Sequence, residues 1–423
     1  MKLIVQKYGG SSVGAIEKLK AVARKVVETR KNGNNVLVVV SAMGDSTDDL
    51  VALARQLSAN PSRREFDVLL STGENTSMAL LSIAIQELGE DAISLTGAQC
   101  GIMTNDVYSN ARILEIRPDR VREELARGAI VVVAGFQGVT GKGEVTTLGR
   151  GGSDTTAVAL AAALNADACE IYTDVAGVFT ADPRVVPQAR YLEELGAREM
   201  QELAWTGAKV LKAEAVEFAG SNNVPVVVRS TFEDGHSTWI HPHSAEETVF
   251  TPHRPDVAGV SGRTDVLRIT FVQAPFRSNG YERIFDLIAK YDLIFGTTGT
   301  SDEAADIFIS NLEIPDPAVF VREFQMQFGT QAKIMDELGA VSLVGFGLGS
   351  RPASLLEACT LLHHAEIPVL KSFSSRESFS FVMAGRFVNE AVRLMHRAFI
   401  ESRRERLSVA VSAASSQRKG VMA

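Results

Sequence analysis

Two runs of apolar and β-branched residues, neither containing a charged side chain, most constrain the fold of this chain. They read NNVLVVVSAMG at residues 34–44 and GAIVVVAGFQG at residues 128–138. A strand that is apolar on both faces must be covered on both faces, which is typical of central strands in a parallel sheet. Helical periodicity alternates with such runs, as in KLIVQKY followed by GGSSVGAIEKLKAVARKVVETRKNG. We therefore predict an α/β fold with an open, mainly parallel sheet sandwiched by helices.

A repeated layout in the second half predicts a different architecture there. Residues 266–310 and 340–383 each contain an apolar strand, a turn with proline, a helix and two further strands. The two helices are indicated by Ile284, Phe285 and Leu287, and by Leu355, Leu356 and Leu361. We expect two α+β modules of one kind. The predicted boundaries are 1–235 for the first domain, 236–260 for a linker, 261–338 and 339–402 for the modules, and 403–423 for a disordered tail.

Composition narrows the classes of partner. The 423 residues include 51 acidic and 43 basic side chains, so the formal net charge of −8 disfavours nucleic acid and anionic membrane surfaces. No apolar run approaches the roughly 20 residues of a spanning helix, and the start lacks the pattern of a signal peptide. Cys100, Cys169 and Cys359 form no CxxC pair and are expected to be buried thiols. A cytoplasmic location is expected.

Four histidines lie in the predicted linker, at His236, His241, His243 and His253. They follow no metal-ligand spacing and have no cysteine or carboxylate partners in such a spacing. We expect solvated linker histidines and no metal site built from side chains.

Two glycine loops indicate where anions could bind. The first, QKYGGSSVGA, places Lys7 before Gly9 and Gly10 at a turn from strand to a helix beginning near Ser12, where free amides and the helix dipole favour phosphate. Alone, such a pair is more often a tight turn. The second, TTLGRGGSDTTAVALAAAL, places Arg150 among glycines before a helix capped by Ser153 or Asp154. Together the loops favour a nucleotide phosphate and a second anionic substrate.

Further polar residues are predicted near strand ends, where open α/β sheets bind ligands. They are Ser41, Thr47, Glu74, Asp174 and Asp182. Each alone is more often a cap or turn residue. Only their joint placement argues for a site.

The motifs KYGGSSV, VVVSAMGD, STGE, GFQG, TTLGRGGSDTTA and YTDVAGVFTADPR together resemble the aspartate kinase family of the amino-acid kinase superfamily. The resemblance is close from Lys2 to about Ser230. It implies a kinase domain followed by two ACT modules, which are ferredoxin-like, in agreement with the repeat. It also implies phosphorylation of the β-carboxylate of L-aspartate by ATP, with Mg²⁺ held mainly by the nucleotide phosphates.

The resemblance also implies roles for individual residues. Lys7 and Asp154 would be catalytic, Arg150 would hold the α-carboxylate of aspartate, and Glu74 its ammonium group. The implied aspartate pocket is formed by Ser41, Thr47, Glu74, Phe136, Arg150, Gly151 and Ser153. The implied nucleotide residues are Lys7, Gly9, Gly10, Ser11, Thr173, Asp174, Phe179, Asp182, Arg184 and Lys209.

The sequence also departs from the family pattern. Ser11 stands where the family has Thr, Ala176 where it has Asp, Phe179 where it has Tyr, and Lys212-Ala213 where it has His-Pro. The effector motifs of both ACT modules are altered, which predicts feedback control that is lost or retuned while pairing of modules into a homo-oligomer persists.

Two alternatives stay open. One is a kinase for a modified, aspartate-like amino acid, against which Arg150 and Glu74 argue. The other is a non-catalytic regulatory subunit that senses amino acids through its ACT modules. The charged residues kept in both glycine loops argue against it.

Overall fold

The computed structural model describes residues 1–149, 151–208, 210–233, 235–242, 256–272, 286, 298–300, 304–311, 314 and 317–402. The chain divides into two compact units. The first comprises Met1–Val178, Tyr191–Ala204 and Lys209–Pro252, and the second comprises Phe179–Arg190, Trp205–Ala208 and His253–Ala423. The chain therefore passes between the units several times, whereas the sequence predicts a single crossing after residue 235.

The first unit is built on an eight-stranded sheet. Its strands are β1 (Leu3–Tyr8), β2 (Asn35–Val40), β3 (Ala92–Leu95), β6 (Ile130–Ala134), β9 (Ala168–Thr173), β10 (Glu194–Gly196), β11 (Val226–Ser230) and β12 (Ser237–His241). They are ordered β10-β12-β11-β9-β1-β2-β6-β3, and only the β11–β12 pair is antiparallel. The side chains of Val36–Val40 and Ile130–Ala134 are fully buried, as the two apolar runs predict. This confirms the mainly parallel sheet.

A small four-stranded sheet accompanies it. Its strands are β4 (Ile102–Thr104), β5 (Ile113–Ile116), β7 (Gln137–Thr140) and β8 (Val145–Thr147), ordered β5-β4-β7-β8. Strand β8 leads directly into the second glycine loop.

Helices cover the large sheet. They are α1 (Gly10–Val13), α2 (Ile16–Lys31), α3 (Ser46–Leu57), α4 (Arg63–Glu87), α5 (Asp119–Ala126), α6 (Gly152–Leu164), α7 (Ala197–Trp205) and α8 (Ala213–Ser221). The sequence predicts one helix after the first glycine pair, and this was wrong. Ala15 has an extended backbone (φ −153°, ψ 155°), so the helix is divided into a single turn, α1, and the longer α2.

Among the described residues, α4 is long and apolar enough to span a membrane by length and composition. Half of its apolar window is buried inside the protein, however, and core helices of soluble proteins meet the same criterion. Helix α4 packs against α2, β3 and β6, which makes it a core helix of this unit.

Part of the predicted linker is a strand. Ser237–His241 form β12 because Thr238 and Ile240 alternate inward, and they pair with Val226–Arg229. His236 packs against Tyr191 with 5.0 Å between ring centroids. His243 and His253 lie outside the described residues.

The second unit contains a six-stranded antiparallel sheet. Its strands are β13 (Gly259–Val272), β14 (Thr298–Thr300), β15 (Ala304–Ser310), β16 (Ala332–Val344), β17 (Lys371–Ser374) and β18 (Ser378–Ala384), ordered β14-β15-β13-β16-β18-β17. Its helices are α9 (Pro317–Phe328), α10 (Pro352–His364) and α11 (Val388–His396). This α+β arrangement is consistent with the two predicted modules, and β16 runs through the predicted boundary between residues 338 and 339.

Parts of the module prediction lie on residues that are not described. The helix indicated by Ile284, Phe285 and Leu287 and the tail at 403–423 lie outside the described residues. The helix indicated by Leu355 and Leu361 is α10.

The cysteines follow the expectation only in part. Cys100 and Cys169 are fully buried, and burial raises the pKa of the Cys100 thiol to about 12. Cys359 is exposed, so the expectation was wrong for this residue. It lies on α10, whose inward face is taken by Ala358 and Leu362.

Candidate active site

The first glycine loop lies where the ends of β1 and β2 are adjacent. Lys7 is paired with Val39 and Tyr8 with Val40, so both strands end at one edge of the sheet. A Cβ at Gly10 would lie 2.9 Å from the carbonyl oxygen of Ala42 and 3.2 Å from that of Gly44. Because both neighbours are backbone atoms, only glycine lets the two loops approach this closely.

Lys7 and Asp154 form an ion pair between the two glycine loops. The distance from Lys7 Nζ to Asp154 Oδ1 is 2.6 Å, and their side chains are only 12% and 10% exposed. Lys7 belongs to β1, and Asp154 to the first turn of α6. Because both groups are largely shielded from water, solvent screens their attraction only weakly. The structure thus brings the two predicted catalytic residues together.

The second glycine loop starts α6 through left-handed backbone. Gly149 and Gly151 have φ of +73° and +75°, a region that glycine enters without strain. The amide of Asp154 donates to the carbonyl of Gly151 at 3.0 Å, which fixes the first turn of the helix. Arg150, between them, lies outside the described residues.

Glu74 presents a buried carboxylate beside the first loop. Its Oε1 accepts a hydrogen bond from the amide of Ala42 at 3.1 Å, and its Oε2 is buried with no hydrogen-bond partner among the described residues. Burial raises the pKa of Glu74 to about 7. The sequence predicts Glu74 near a strand end, but it lies inside α4, where Leu70, Ser77 and Met78 share its buried face.

The remaining pocket residues lie around the same sheet edge. Ser41 follows β2, and its amide donates to the carbonyl of Tyr8 at 3.1 Å, whereas Thr47 lies in the first turn of α3. Phe136 follows β6 with φ +67°, and its amide donates to Thr156 Oγ1 at 3.1 Å. A Cβ at Gly135 would lie 2.7 Å from Ser153 Oγ, so this glycine makes room for Ser153.

The predicted nucleotide residues fall in three places. Ser11 is exposed on α1, and Thr173 ends β9, with its hydroxyl donating to exposed Asp174 at 3.0 Å. Phe179, Asp182 and Arg184 belong to the second unit, where Arg184 Nη2 lies 2.7 Å from Asp182 Oδ2. Lys209 lies outside the described residues.

Sequence analysis missed a hydroxyl pair behind the first loop. The oxygens of Ser12 and Thr231 lie 2.6 Å apart and are buried, which ties α1 to the chain after β11. Nothing in either segment marks this pair, because 219 residues separate its members.

Asp67 was missed as well. This carboxylate, fully buried on α4, accepts four hydrogen bonds from Ser109 and Thr147, with the two amides at 2.9 and 2.8 Å and the two hydroxyls at 3.0 Å. Burial raises the pKa of Asp67, although these hydrogen bonds oppose the rise. Thr147 lies two residues before Gly149, so Asp67 holds the start of the second glycine loop.

A parallel sheet with a lysine and aspartate held between two glycine loops defines the amino-acid kinase class. The model of the Amino acid kinase family matches residues 2–230. An aspartokinase of Geobacillus stearothermophilus is 44% identical over 402 residues, which cover 94% of this chain and 97% of that protein. The chain therefore belongs to the aspartokinase family, which confirms the resemblance.

Solved structures agree with this assignment. The crystal structure of aspartate kinase from Synechocystis matches with a TM-score of 0.53 at 40% identity, covering 94% of this chain and 69% of that one. The fold also matches E. coli aspartokinase III, solved in complex with aspartate and ADP in its R-state, with a TM-score of 0.80 at 23% identity over 93% and 99% of the chains.

Proposed function

We propose that this chain transfers the γ-phosphoryl group of ATP to the β-carboxylate of L-aspartate, forming 4-phospho-L-aspartate and ADP. The observation that carries the proposal is the Lys7–Asp154 pair at 2.6 Å, held between two glycine loops, together with the buried Glu74 Oε2, which has no hydrogen-bond partner among the described residues. Membership of the aspartokinase family supports the same reaction.

The proposed acceptor, the β-carboxylate of aspartate, does not have to be deprotonated by the enzyme. A β-carboxylate is ionised at pH 7, so no strong general base is required. The obstacle is repulsion between two anions, and alignment with charge neutralisation removes it. Lys7 supplies charge to the phosphoryl group. Asp154 orients Lys7 and does not accept a proton.

The residues of the acceptor pocket are assigned by matching their charges to those of aspartate. An aspartate ammonium placed at Glu74 Oε2 satisfies a buried oxygen that otherwise has no partner among the described residues. Arg150 then holds the α-carboxylate. Ser41, Thr47, Phe136, Gly151 and Ser153 form the remaining walls. An acceptor whose nitrogen is acylated would leave Glu74 unpaired, which disfavours the modified-substrate alternative.

The nucleotide is held through its phosphates by Lys7, Gly9, Gly10 and Ser11. The close backbone approach at Gly10, at the turn between β1 and α1, fits a phosphate cradle. The further nucleotide contacts are assigned to Thr173, Asp174, Phe179, Asp182, Arg184 and Lys209. When bound, Mg²⁺ would be held mainly by the nucleotide phosphates and would neutralise part of their charge.

The α+β unit is assigned to control and assembly. Its modules pair with those of a second copy to form a homo-oligomer, and feedback control by an amino-acid effector at these modules is lost or retuned. We place the enzyme in the cytoplasm, where ATP and aspartate are both available.

The proposed function is tested by coupled measurement of ADP formation. L-Aspartate should support ADP formation, whereas N-acetyl-L-aspartate, which lacks the ammonium group, should not. Equal rates with both acceptors, or no aspartate-dependent rate, would contradict the assignment.

A further inference from the structure

Lys212 lies across the second glycine loop. A Cβ placed on Gly151 would lie 1.9 Å from Lys212 Cγ and 2.9 Å from both Cδ and Cε. The outer three carbons of the Lys212 stem therefore cover the Cα of Gly151. The ammonium group, one bond beyond Cε, must be beside the loop whose first helical turn carries Asp154.

The position of Lys212 is electrostatically unfavourable in the absence of an anion. Lys212 is the N-cap residue of α8, and Gly151 is the N-cap residue of α6. Both helix amino ends carry partial positive charge, which disfavours a cation. Among the described residues, the Lys212 ammonium has neither a hydrogen bond nor an ion pair, although the side chain is partly buried. An anion bound here would interact favourably with the lysine and with both helix ends.

The other charged side chains in the described part of the site do not supply a net positive charge for an anion bound beside Lys212. Lys7 is already paired with Asp154 at 2.6 Å, so that pair contributes no net charge. Glu74 adds negative charge when it is ionised. Lys212 is therefore the cation of the described site that has no compensating carboxylate.

We propose that Lys212 binds the phosphoryl group during its transfer. The proposal rests on the proposed function. A β-carboxylate oxygen of aspartate forms a bond to the γ-phosphorus while the bond from that phosphorus to the β,γ-bridging oxygen breaks, and ADP leaves with the electron pair. The stem of Lys212 crosses the acceptor loop, and Lys212 follows the assigned nucleotide residue Lys209 by three positions. Its ammonium is thus placed where acceptor and nucleotide meet.

Three variants separate charge from packing. Lys212→Met keeps an unbranched stem over Gly151 and removes the charge. Lys212→Arg keeps both the unbranched stem and the positive charge. Lys142→Met is the matched control, since Lys142 is exposed in the turn between β7 and β8. The readouts are kcat, both KM values, thermal unfolding, and binding of ADP with aluminium fluoride in the presence of aspartate, which mimics the transferring group.

Lys212→Met should lower kcat at least tenfold and weaken the aluminium fluoride complex at least tenfold, with both KM values and the affinity for ADP alone within threefold of the wild type. Lys212→Arg should retain most of kcat, and Lys142→Met should match the wild type. If Lys212→Met keeps kcat within twofold, or loses thermal stability while still binding the aluminium fluoride complex normally, Lys212 has only a packing role. If the wild type forms no ADP with aspartate, the proposed function itself is wrong and this inference falls with it.

Discussion

At the scale of single residues, the site holds two carboxylates in different environments. Asp154 lies 2.6 Å from a lysine ammonium, whereas Glu74 accepts from the amide of Ala42 and has no hydrogen-bond partner for Oε2 among the described residues. A buried carboxylate without a nearby cation tends to take up a proton, and burial raises the pKa of Glu74. The two groups therefore suit different tasks: Asp154 holds Lys7, and Glu74 awaits a ligand cation.

Replacing Lys7 with methionine should reduce turnover by two to three orders of magnitude, in line with the loss of a preorganised cation. The KM for ATP should change much less, since the charge contributes most in the transition state. Steady-state kinetics measures both. Lys20→Met is the matched control, because Lys20 lies exposed on α2 and forms a surface ion pair with Glu17 at 3.2 Å. Unchanged turnover in Lys7→Met would remove Lys7 from the mechanism.

Glu74 should make stability depend on pH. Its pKa is raised from 4.5 to about 7 in the folded protein, so the stabilisation from its neutral form is complete below about pH 4.5 and is lost as the pH rises to about 7. Glutamine stays neutral and can still accept from the Ala42 amide. Glu74→Gln should therefore exceed the wild type in free energy of unfolding by up to about 3 kcal/mol at pH 8, and by little at pH 4.5.

Urea unfolding at several pH values measures this difference. Calorimetry of aspartate binding near pH 6.5, in buffers of different ionisation enthalpy, gives an independent readout: the wild type should release a proton and Glu74→Gln should not. A stability difference that does not change with pH would contradict the account of Glu74.

At the scale of elements, a side chain of α4 fixes the segment that leads into the second glycine loop. Asp67 accepts four hydrogen bonds from Ser109 and Thr147. A Cβ at Gly149 would lie 2.6 Å from Asn110 Oδ1, so the segment held by Ser109 also contacts the loop itself. The buried carboxylate of Asp67 thus sets the path of the backbone that precedes α6.

Two substitutions at Asp67 should differ sharply. Alanine leaves the buried amide of Thr147 and the partly buried amide of Ser109 without acceptors, at about 1–3 kcal/mol for a fully buried group, and should also raise the KM for aspartate by about tenfold. Asparagine can accept from both amides with its oxygen and donate to both hydroxyls with its nitrogen, so it should keep most of the stability and affinity. Chemical unfolding and kinetics test this, with exposed Asp91→Asn as the control. Equal losses in Ala and Asn would contradict the hydrogen-bond account.

Sequence patterns predict secondary-structure elements more easily than they predict contacts between distant residues. The runs at residues 36–40 and 130–134 predict buried parallel strands because no alternation is present, and the glycine loops predict anion sites because only glycine permits their backbone. The break at Ala15 and the helical position of Glu74 were not predicted. The helical periodicity of the sequence continues through Ala15, so it gives no sign of the break. The STGE motif around Glu74 has the composition of a turn, although it lies in a helix. Asp67 and the Ser12–Thr231 pair depend on contacts between distant residues, which no local pattern contains.

At the scale of the whole molecule, the segment after β9 does not stay with the first unit. Phe179–Arg190 belong to the second unit, where Thr180 Oγ1 lies 2.9 Å from Nε2 of the fully buried His396. The other ring nitrogen of His396 lies 2.8 Å from Glu401 Oε1. Three of the assigned nucleotide residues are therefore carried by a segment that packs in the α+β unit. This excursion was not predicted from the sequence, because it depends on contacts such as Thr180 with His396, which are 216 positions apart.

The central claim is transfer of a phosphoryl group to the β-carboxylate of aspartate, and trapping the acyl phosphate tests it most directly. Hydroxylamine should yield aspartyl hydroxamate from ATP and L-aspartate, and none from glutamate, N-acetylglutamate or ATP alone. Parallel reactions with lysine and threonine report whether the altered modules still regulate. Hydroxamate from aspartate alone is the result the account predicts. Its absence with aspartate, or its formation from N-acetylglutamate at a comparable rate, would contradict the account.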